Sequence, residues 1–195
     1  MFYHASNIPN LKVLEPHISM HGKSMVYFSS KRENVLVYLS NAVEKYIKEK
    51  YNRPLKKYKK WATYGFNHDG KIRIEEYYEN AIEDTFKGVK GYIYFVNNIE
   101  TQGLDSIQGV FTIDTPTVVD GVEVIEDAYD EIWKAKDLGL IEIQRYHEMS
   151  DKKKSMVQEM IVSEYKNTDN EDYKEFLFEK FKHLRNIFKE CESGN

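Results

Sequence analysis

Cysteine is nearly absent from the sequence. The 195 residues include one cysteine, Cys191, which excludes an intramolecular disulfide and any zinc or iron–sulfur centre held by several thiolates. So little cysteine is typical of the reducing cytoplasm, and we expect a cytoplasmic protein. Histidines do not replace the missing thiolates. His17 and His21 are one helical turn apart, but Pro16 and Gly22 make that segment loop-like, so no metal site is expected.

Long apolar runs are absent as well. No segment approaches the roughly 20 apolar residues that a helix needs to span a bilayer. The first residues also lack the basic region and apolar core of a signal peptide. We therefore expect no membrane partner.

An excess of basic charge is missing too. Asp and Glu number 32 against 28 Lys and Arg, and the formal net charge is −4, which argues against a general nucleic-acid-binding protein. A local contact with nucleic acid stays open, because the lysines of residues 56–60 interleave with Tyr58 and Trp61. The interpretation that we favour is a solvated basic turn whose two aromatic side chains pack inward.

The common nucleophile and phosphate-binding motifs do not occur. The chain has no Gly-x-Ser-x-Gly elbow, no P-loop and no Gly-x-Gly-x-x-Gly turn. Hydrolase chemistry of the serine or cysteine type, P-loop nucleotide binding and a Rossmann turn are therefore not expected.

Apolar and aromatic residues, by contrast, are plentiful. They make up 41% and 14% of the chain, so the chain can bury a core. β-prone segments predict strands at 1–6, 25–28, 92–96 and 110–113, and apolar residues at helical spacing predict helices at 35–47 and 127–136. The Asp69-Gly70 pair predicts a tight hairpin, because it tolerates positive φ angles. The fold class indicated is α+β.

The C-terminal segment has the periodicity of helices. Two apolar stripes follow Ser150, and their members are Met156, Met160, Ile161 and Tyr165, then Tyr173, Phe176, Leu177, Phe181, Leu184 and Phe188. We expect a helical hairpin at residues 150–195, packed on an α+β domain at residues 1–149. Because such an aromatic stripe must be covered, a lid, a partner platform and a homodimer through these helices stay open beside core packing.

Two short motifs end the first two predicted strands. They are Tyr3-His4-Ala5-Ser6 and Val26-Tyr27-Phe28-Ser29, and a predicted helix follows the second. In order and spacing they resemble the motifs of the ADP-ribosyltransferase superfold, in particular its rifampicin ADP-ribosyltransferase and RNA 2′-phosphotransferase-like branches. Segments 11–16 and 91–96 are similar to stretches of sequence that occur in the same branches. The resemblance covers residues 1–125 and implies a split β-sheet core.

The resemblance also implies a function, namely binding NAD and transferring ADP-ribose to an unknown acceptor. It assigns His4 to the nicotinamide ribose, the backbone of Ala5 to the nicotinamide amide and the ring of Tyr27 to the nicotinamide face. Arg32, or Lys31, is then expected to reach the pyrophosphate. Ala5 departs from the glycine usual in the family and adds a methyl group near the nicotinamide position.

The third member of that family's triad is a glutamate or an aspartate that supports the oxocarbenium-like transition state. Glu100 and Asp105 are the two candidates, whereas a position at the start of the next strand is occupied by Gln108, which is not a carboxylate. The glutamine favours the alternative of a catalytically inactive nucleotide- or protein-binding module. A further alternative is an interaction protein that acts through its C-terminal helices, for which an exposed apolar patch within residues 156–188 would be the sign.

Overall fold

The computed structural model describes residues 1–18, 23–61, 63–99, 102–103 and 109–193, the pair 102–103 by its backbone alone. The chain divides into two compact units. A sheet unit comprises Met1–Leu39, Tyr64–Ile74 and Phe86–Ile143, and a helical unit comprises Ser40–Thr63, Glu75–Thr85 and Gln144–Asn195. Both units are assembled from segments that are distant in sequence.

Strands and helices are both abundant, so the protein is α+β, as the sequence predicts. The strands are β1 (Phe2–Ser6), β2 (Val13–Leu14), β3 (His17–Ile18), β4 (Ser24–Ser29), β5 (Tyr64–Phe66), β6 (Ile72–Glu75), β7 (Gly91–Val96), β8 (Gln102–Gly103), β9 (Val110–Ile113), β10 (Thr117–Val118), β11 (Gly121–Ile125) and β12 (Glu142–Gln144). The α-helices are α1 (Ala42–Tyr51), α2 (Ala81–Phe86), α3 (Ala128–Asp137), α4 (Asp151–Asn167), α5 (Glu171–Lys180) and α6 (Arg185–Ser193). Short 3₁₀ helices span Arg32–Tyr38, Tyr146–Glu148 and Lys182–Leu184.

The main sheet lies in the sheet unit and is antiparallel. Its strands follow the order β11-β7-β1-β4-β9-β8, and β3 pairs with the start of β4. Because side chains alternate along a strand, Val26 and Phe28 of β4 turn to one face, where they are buried with Tyr94, Val96 and Leu14. We call this the core face. The small β2–β10 sheet contributes Leu14 to it.

The predicted hairpin is confirmed. Strands β5 and β6 pair on either side of a turn in which Gly70 has a φ of 70°. The buried side chain of Asn34 donates a hydrogen bond to the Gly70 carbonyl, at 2.8 Å, and accepts one from the amide of Ile72, at 3.3 Å. A single side chain thus ties the hairpin to the 3₁₀ helix Arg32–Tyr38.

The predicted continuous helix at 35–47 is wrong. The chain forms the 3₁₀ helix Arg32–Tyr38, breaks at residues 40–41 and begins again as α1. Asn41 causes the new start, because its side chain accepts a hydrogen bond from the amide of Val43 and caps α1. The same side chain also binds the amide of Trp61 and the carbonyl of Lys59. Apolar spacing alone does not reveal a break at which the periodicity continues.

The helices predicted after Ser150 are present, but they are three rather than two, α4, α5 and α6. The predicted stripe on the first one is partly wrong, because Met156 and Met160 are 61% and 40% exposed. The buried positions of α4 are Val157, Ile161 and Tyr165. Both methionines therefore belong to the exposed side of α4 and not to its buried stripe.

The core of the helical unit is aromatic. Trp61 is almost fully buried, and its ring centroid lies between 5.3 and 6.3 Å from five other aromatic centroids, those of Tyr77, Tyr78, Tyr173, Phe176 and Phe181. Edge-to-face and tilted packing of this kind stabilises a core beyond simple area burial. The C-terminal aromatic residues thus pack into a core, which is the role that the sequence predicts for most of them.

Candidate functional site

The main sheet opens between β1 and β4. Strand β1 pairs with β7 at five positions and β4 pairs with β9 at four, but β1 and β4 share one bridge, between Tyr3 and Ser29. All four strands lie within the described residues. Beyond that bridge the ends of β1 and β4 that carry the two sequence motifs form no further bridge with each other. We call this opening the fork.

His4 reaches across the fork. Its Nδ1 lies 2.9 Å from the carbonyl oxygen of Tyr27, and since a carbonyl can only accept, Nδ1 carries the hydrogen. Burial lowers the pKa of His4 below its ordinary value, and the proximity of His17 lowers it further, against the opposing effect of the Tyr27 hydrogen bond. The imidazole is therefore neutral at pH 7, and its Nε2 is a hydrogen-bond acceptor.

Tyr27 presents its ring on the other side of β4. The side chain alternates with the buried Val26 and Phe28 and is itself half-buried. Contact between the two predicted site residues is thus from the His4 ring to the Tyr27 backbone, while the Tyr27 ring lies on the face opposite Phe28.

The sequence patterns did not single out Tyr38 and Tyr64, which also belong to this region. Tyr38 ends the 3₁₀ helix Arg32–Tyr38, is 40% exposed, and packs its ring against Tyr64 with centroids 5.7 Å apart. Desolvation raises the pKa of Tyr38, a hydrogen bond with Tyr64 lowers it in part, and the interaction with the nearby Tyr27 raises it further. The signal in the sequence that could have marked Tyr38 is that it falls outside the apolar stripe within residues 35–47.

Ala5 is buried in β1, directly after His4, and pairs with Ile93 of β7. Its neighbour across the fork is β4, with which it forms no bridge. The backbone of Ala5 therefore stands at the edge of the opening, as a residue that contacts a ligand amide would need to.

Arg32 is engaged by two carboxylates. Its guanidinium binds Glu123 of β11 through two hydrogen bonds, of 2.6 and 3.0 Å, and Glu131 of α3 through one of 2.7 Å. These bonds, that to Glu123 foremost, raise the pKa of Arg32 above its ordinary value. These bonds use Nε and Nη2 of the guanidinium, so Nη1 is the nitrogen with which Arg32 would reach a pyrophosphate. Lys31, the other residue predicted for that role, donates to the carbonyl of Asp69.

The candidates for the third site residue, Glu100 and Asp105, lie outside the described residues, as does Gln108. The described part of the fork thus contains His4, the Ala5 backbone and Tyr27, with Tyr38 and Tyr64 close to Tyr27.

The basic segment 56–61 lies in the helical unit. Lys57 binds Asp169 and Lys59 binds Glu164, at 2.6 and 2.8 Å. Trp61 packs inward, whereas Tyr58 is exposed. The expectation that both aromatic side chains pack inward is therefore half right. Two of the lysines thus form ion pairs with carboxylates of the same unit, which lowers the positive charge that the segment presents to a polyanion.

Comparison with protein-family models, with curated proteins and with solved structures finds no match to this chain in any of the three. Within the described residues, none of the helices has both the length and the apolar character of a membrane span. The same residues contain no cluster of three or more histidine, cysteine, aspartate or glutamate side chains that could bind a metal ion.

Proposed function

We propose that this protein is ADP-ribosyltransferase-like, a cytoplasmic protein that binds NAD at the fork between β1 and β4. The observation that carries the proposal is the coincidence of sequence and geometry. Both motifs that resemble the superfold fall on neighbouring strands, and those strands separate at the motifs after a single bridge. A sheet that splits at these two motifs is what the resemblance implies.

His4 has the chemistry that the proposal asks of it. A ribose hydroxyl needs an acceptor, and the neutral imidazole offers Nε2 while its Nδ1 is held by the Tyr27 carbonyl. The second contact fixes the orientation of the ring. His4 would therefore bind the nicotinamide ribose without having to reorganise.

The aromatic side chains fit a flat ring. Tyr27 is half-buried, and Tyr38 lies near it with part of its ring exposed. Aromatic faces are the natural partners of nicotinamide, and the Ala5 backbone at the edge of the fork would bind its amide. Tyr64 would hold Tyr38 in place through their edge-to-face contact.

The chemistry supplied by NAD is transfer at the ribose carbon: the bond to nicotinamide breaks, nicotinamide leaves with the electron pair, and the acceptor forms the new bond and loses its proton to water. In this proposal His4 holds the ribose and Tyr27 holds the ring. Glu100 or Asp105 would supply the carboxylate that offsets the positive charge. Arg32, held by Glu123 and Glu131 through Nε and Nη2, would bind the phosphates through Nη1.

Thermal unfolding with and without NAD tests the binding. Ligand at about 100 times its dissociation constant adds about 2.7 kcal/mol, which for a chain of this length raises Tm by about 5–11 °C. The rise should be lost in Tyr27→Ala and kept in Tyr58→Ala, which removes an exposed tyrosine. No rise in the wild-type protein, or the same rise in Tyr27→Ala, would count against the site.

Two substitutions of His4 distinguish the role of Nδ1 from the role of Nε2. Asparagine places an amide donor where Nδ1 stands and so keeps the bond to Tyr27, whereas glutamine places a polar atom nearer to Nε2 and gives up that bond. The proposal expects NAD binding to be weakened about tenfold or more in His4→Asn and less in His4→Gln. Release of nicotinamide by the wild-type protein then distinguishes a transferase from the inactive binding module.

A second candidate function follows from the exposed apolar side chains of the C-terminal helices. Met156, Met160 and Ile187 are 61%, 40% and 41% exposed, and exposed apolar side chains favour association where they form one contiguous patch. A homodimer through these helices should appear in light scattering of the wild-type protein and be lost in Met160→Glu. A wild-type protein that is monomeric at every concentration would contradict it.

A further inference from the structure

A second opening lies in the sheet unit. It is a cavity of about 480 Å³, within the range of ligand pockets. Its walls come from the segment after β7, the segment between β9 and β10, and β10 itself. The lining residues are Val96, Asn97, Asn98, Ile99, Ile113, Thr115, Pro116, Thr117, Val118 and Asp120.

The strand register relates this cavity to His4. The bridge of Tyr3 with Ser29 brings His4 and Phe28 to the same face, with ring centroids 6.0 Å apart. His4 pairs with Tyr94, and Phe28 pairs with Phe111. Because alternate residues share a face, Val96 and Ile113 lie on the face that carries the His4 side chain. Strands β7 and β9, to which they belong, are the outer neighbours of β1 and β4.

The lining is polar but almost uncharged. Among the described residues that line it there is no lysine, arginine or histidine, and Asp120 is the one ionisable side chain. Asp120 Oδ2 accepts a hydrogen bond from the amide of Asn97, at 2.6 Å, while Oδ1 has no partner among the described residues. A phosphate group would meet a carboxylate here and no cation.

The asparagine side chains of the cavity suit a ligand whose rings bear hydroxyl and amide groups. The side chains of Asn97 and Asn98 form no hydrogen bond with another described residue, and each offers a donor and an acceptor. Val96, Ile99 and Ile113 supply apolar surface behind them. An amide pairs with the edge of a nucleobase, and a carboxylate oxygen accepts from a sugar hydroxyl.

We propose that this cavity binds a neutral nucleoside, which is the acceptor in the proposed transfer. The role as acceptor rests on the proposed function, whereas the binding itself does not. In the transfer, an oxygen or nitrogen of the nucleoside forms the bond to the ribose carbon of NAD, nicotinamide leaves with the electrons of the broken bond, and the proton of the attacking group passes to water.

Calorimetric titration of the full chain tests the binding. The probes are adenosine, guanosine, cytidine and uridine, each compared with its 5′-monophosphate. At least one nucleoside should bind, and its monophosphate should bind with an affinity lower by about tenfold or more. Asn98→Leu should lower the affinity for the nucleoside by about tenfold. The control is Asn186→Leu, which replaces an exposed asparagine of α6 and should bind as the wild-type protein does.

The outcomes separate this proposal from the previous one. Absence of binding for all four nucleosides, equal binding by Asn98→Leu, or tighter binding of a monophosphate overturns the nucleoside site. The Tm rise with NAD should persist in Asn98→Leu, because this side chain lies outside the fork. If nucleoside binding is lost in Asn98→Leu while NAD gives no rise in the wild-type protein, the site stands and its role as acceptor site falls.

Discussion

The two units differ in the side chains that they leave available to a ligand. In the helical unit, aromatic residues pack into a core around Trp61. Many of its charged residues form ion pairs with one another, for example Arg53 with Asp172 and Lys180 with Asp84. The sheet unit leaves a neutral imidazole, two partly exposed tyrosines and two asparagine amides at openings between its strands. Groups that can still bind a ligand are thus found where strand pairing stops.

The comparison also shows what each architecture permits. A helix satisfies its backbone internally, so a helical unit gains most by covering side chains. A sheet needs a partner along each strand, and a local loss of pairing, as between β1 and β4, exposes backbone and side chains together. The fork arises in this way.

The largest expected effect is on the aromatic core. Phe176 is fully buried, and its ring centroid lies 5.3 Å from that of Trp61, so Phe176→Ala should lower the free energy of unfolding by about 3–5 kcal/mol. The measurement is urea unfolding of a Trp133→Phe background, in which fluorescence comes from Trp61. The exposed Met156→Ala serves as the control. An unchanged midpoint in Phe176→Ala would break the assignment of stability to this core.

The next effect concerns the ion pair of the helical unit. The hydrogen bond from Arg53, helped by the amide of Lys56 and opposed by burial, lowers the pKa of Asp172 to about 2. Asp172→Asn should cost about 2–3 kcal/mol at pH 7. Asp169→Asn, which breaks an exposed pair, should leave the free energy of unfolding nearly unchanged.

The pH dependence gives the sign. Because the folded pKa of Asp172 lies below its ordinary value of 3.8, its contribution is complete above that pH and is lost as the pH falls through about 2. The difference between the wild-type protein and Asp172→Asn should therefore shrink in acid. A constant difference from pH 7 to pH 2 would contradict the charge pairing.

A smaller effect is expected at a close approach in the sheet unit. A Cβ atom on Gly91 would overlap Cδ2 of the fully buried Leu39, whereas one on Gly65 would meet nothing within 4 Å. Gly91→Ala should destabilise by about 1–2 kcal/mol, and Gly65→Ala should be neutral or stabilise by up to about 1 kcal/mol. Thermal unfolding of the pair decides, and a stabilised Gly91→Ala would show that the sheet unit tolerates expansion there.

The smallest effect is the titration of His4. Since burial lowers its folded pKa below 6.5, the unfolded chain takes up the proton first as the pH falls from 6.5. Stability should decrease from that pH down to the folded pKa, and His4→Asn should flatten this part of the profile. The imidazole Cε1–H signal in NMR measures the pKa directly. A midpoint above 6.5 would contradict the lowering of the His4 pKa by burial.

The strands with the two motifs, the Asp69-Gly70 turn and the helix predicted at 127–136 could be located from the sequence because each depends on a local pattern. Apolar periodicity failed to predict the break before Asn41, because the same periodicity continues through the 3₁₀ helix and α1. It also failed to predict burial at Met156, which has helical spacing but is exposed. Tyr38 and Tyr64 could not be paired from sequence, since their contact depends on how the hairpin and the 3₁₀ helix fold back on each other.

The sequence by itself determined the α+β class, the positions of most strands and helices, and which residue types were present to do chemistry. Only the tertiary structure decided which of them meet. The register of β1 against β4 sets the fork and joins His4 to the Tyr27 carbonyl, and it is the pairing of distant strands that turns Arg32 towards Glu123 and Glu131. Local propensities depend on neighbours in the chain, whereas these contacts depend on the free energy of burying and pairing segments far apart in it.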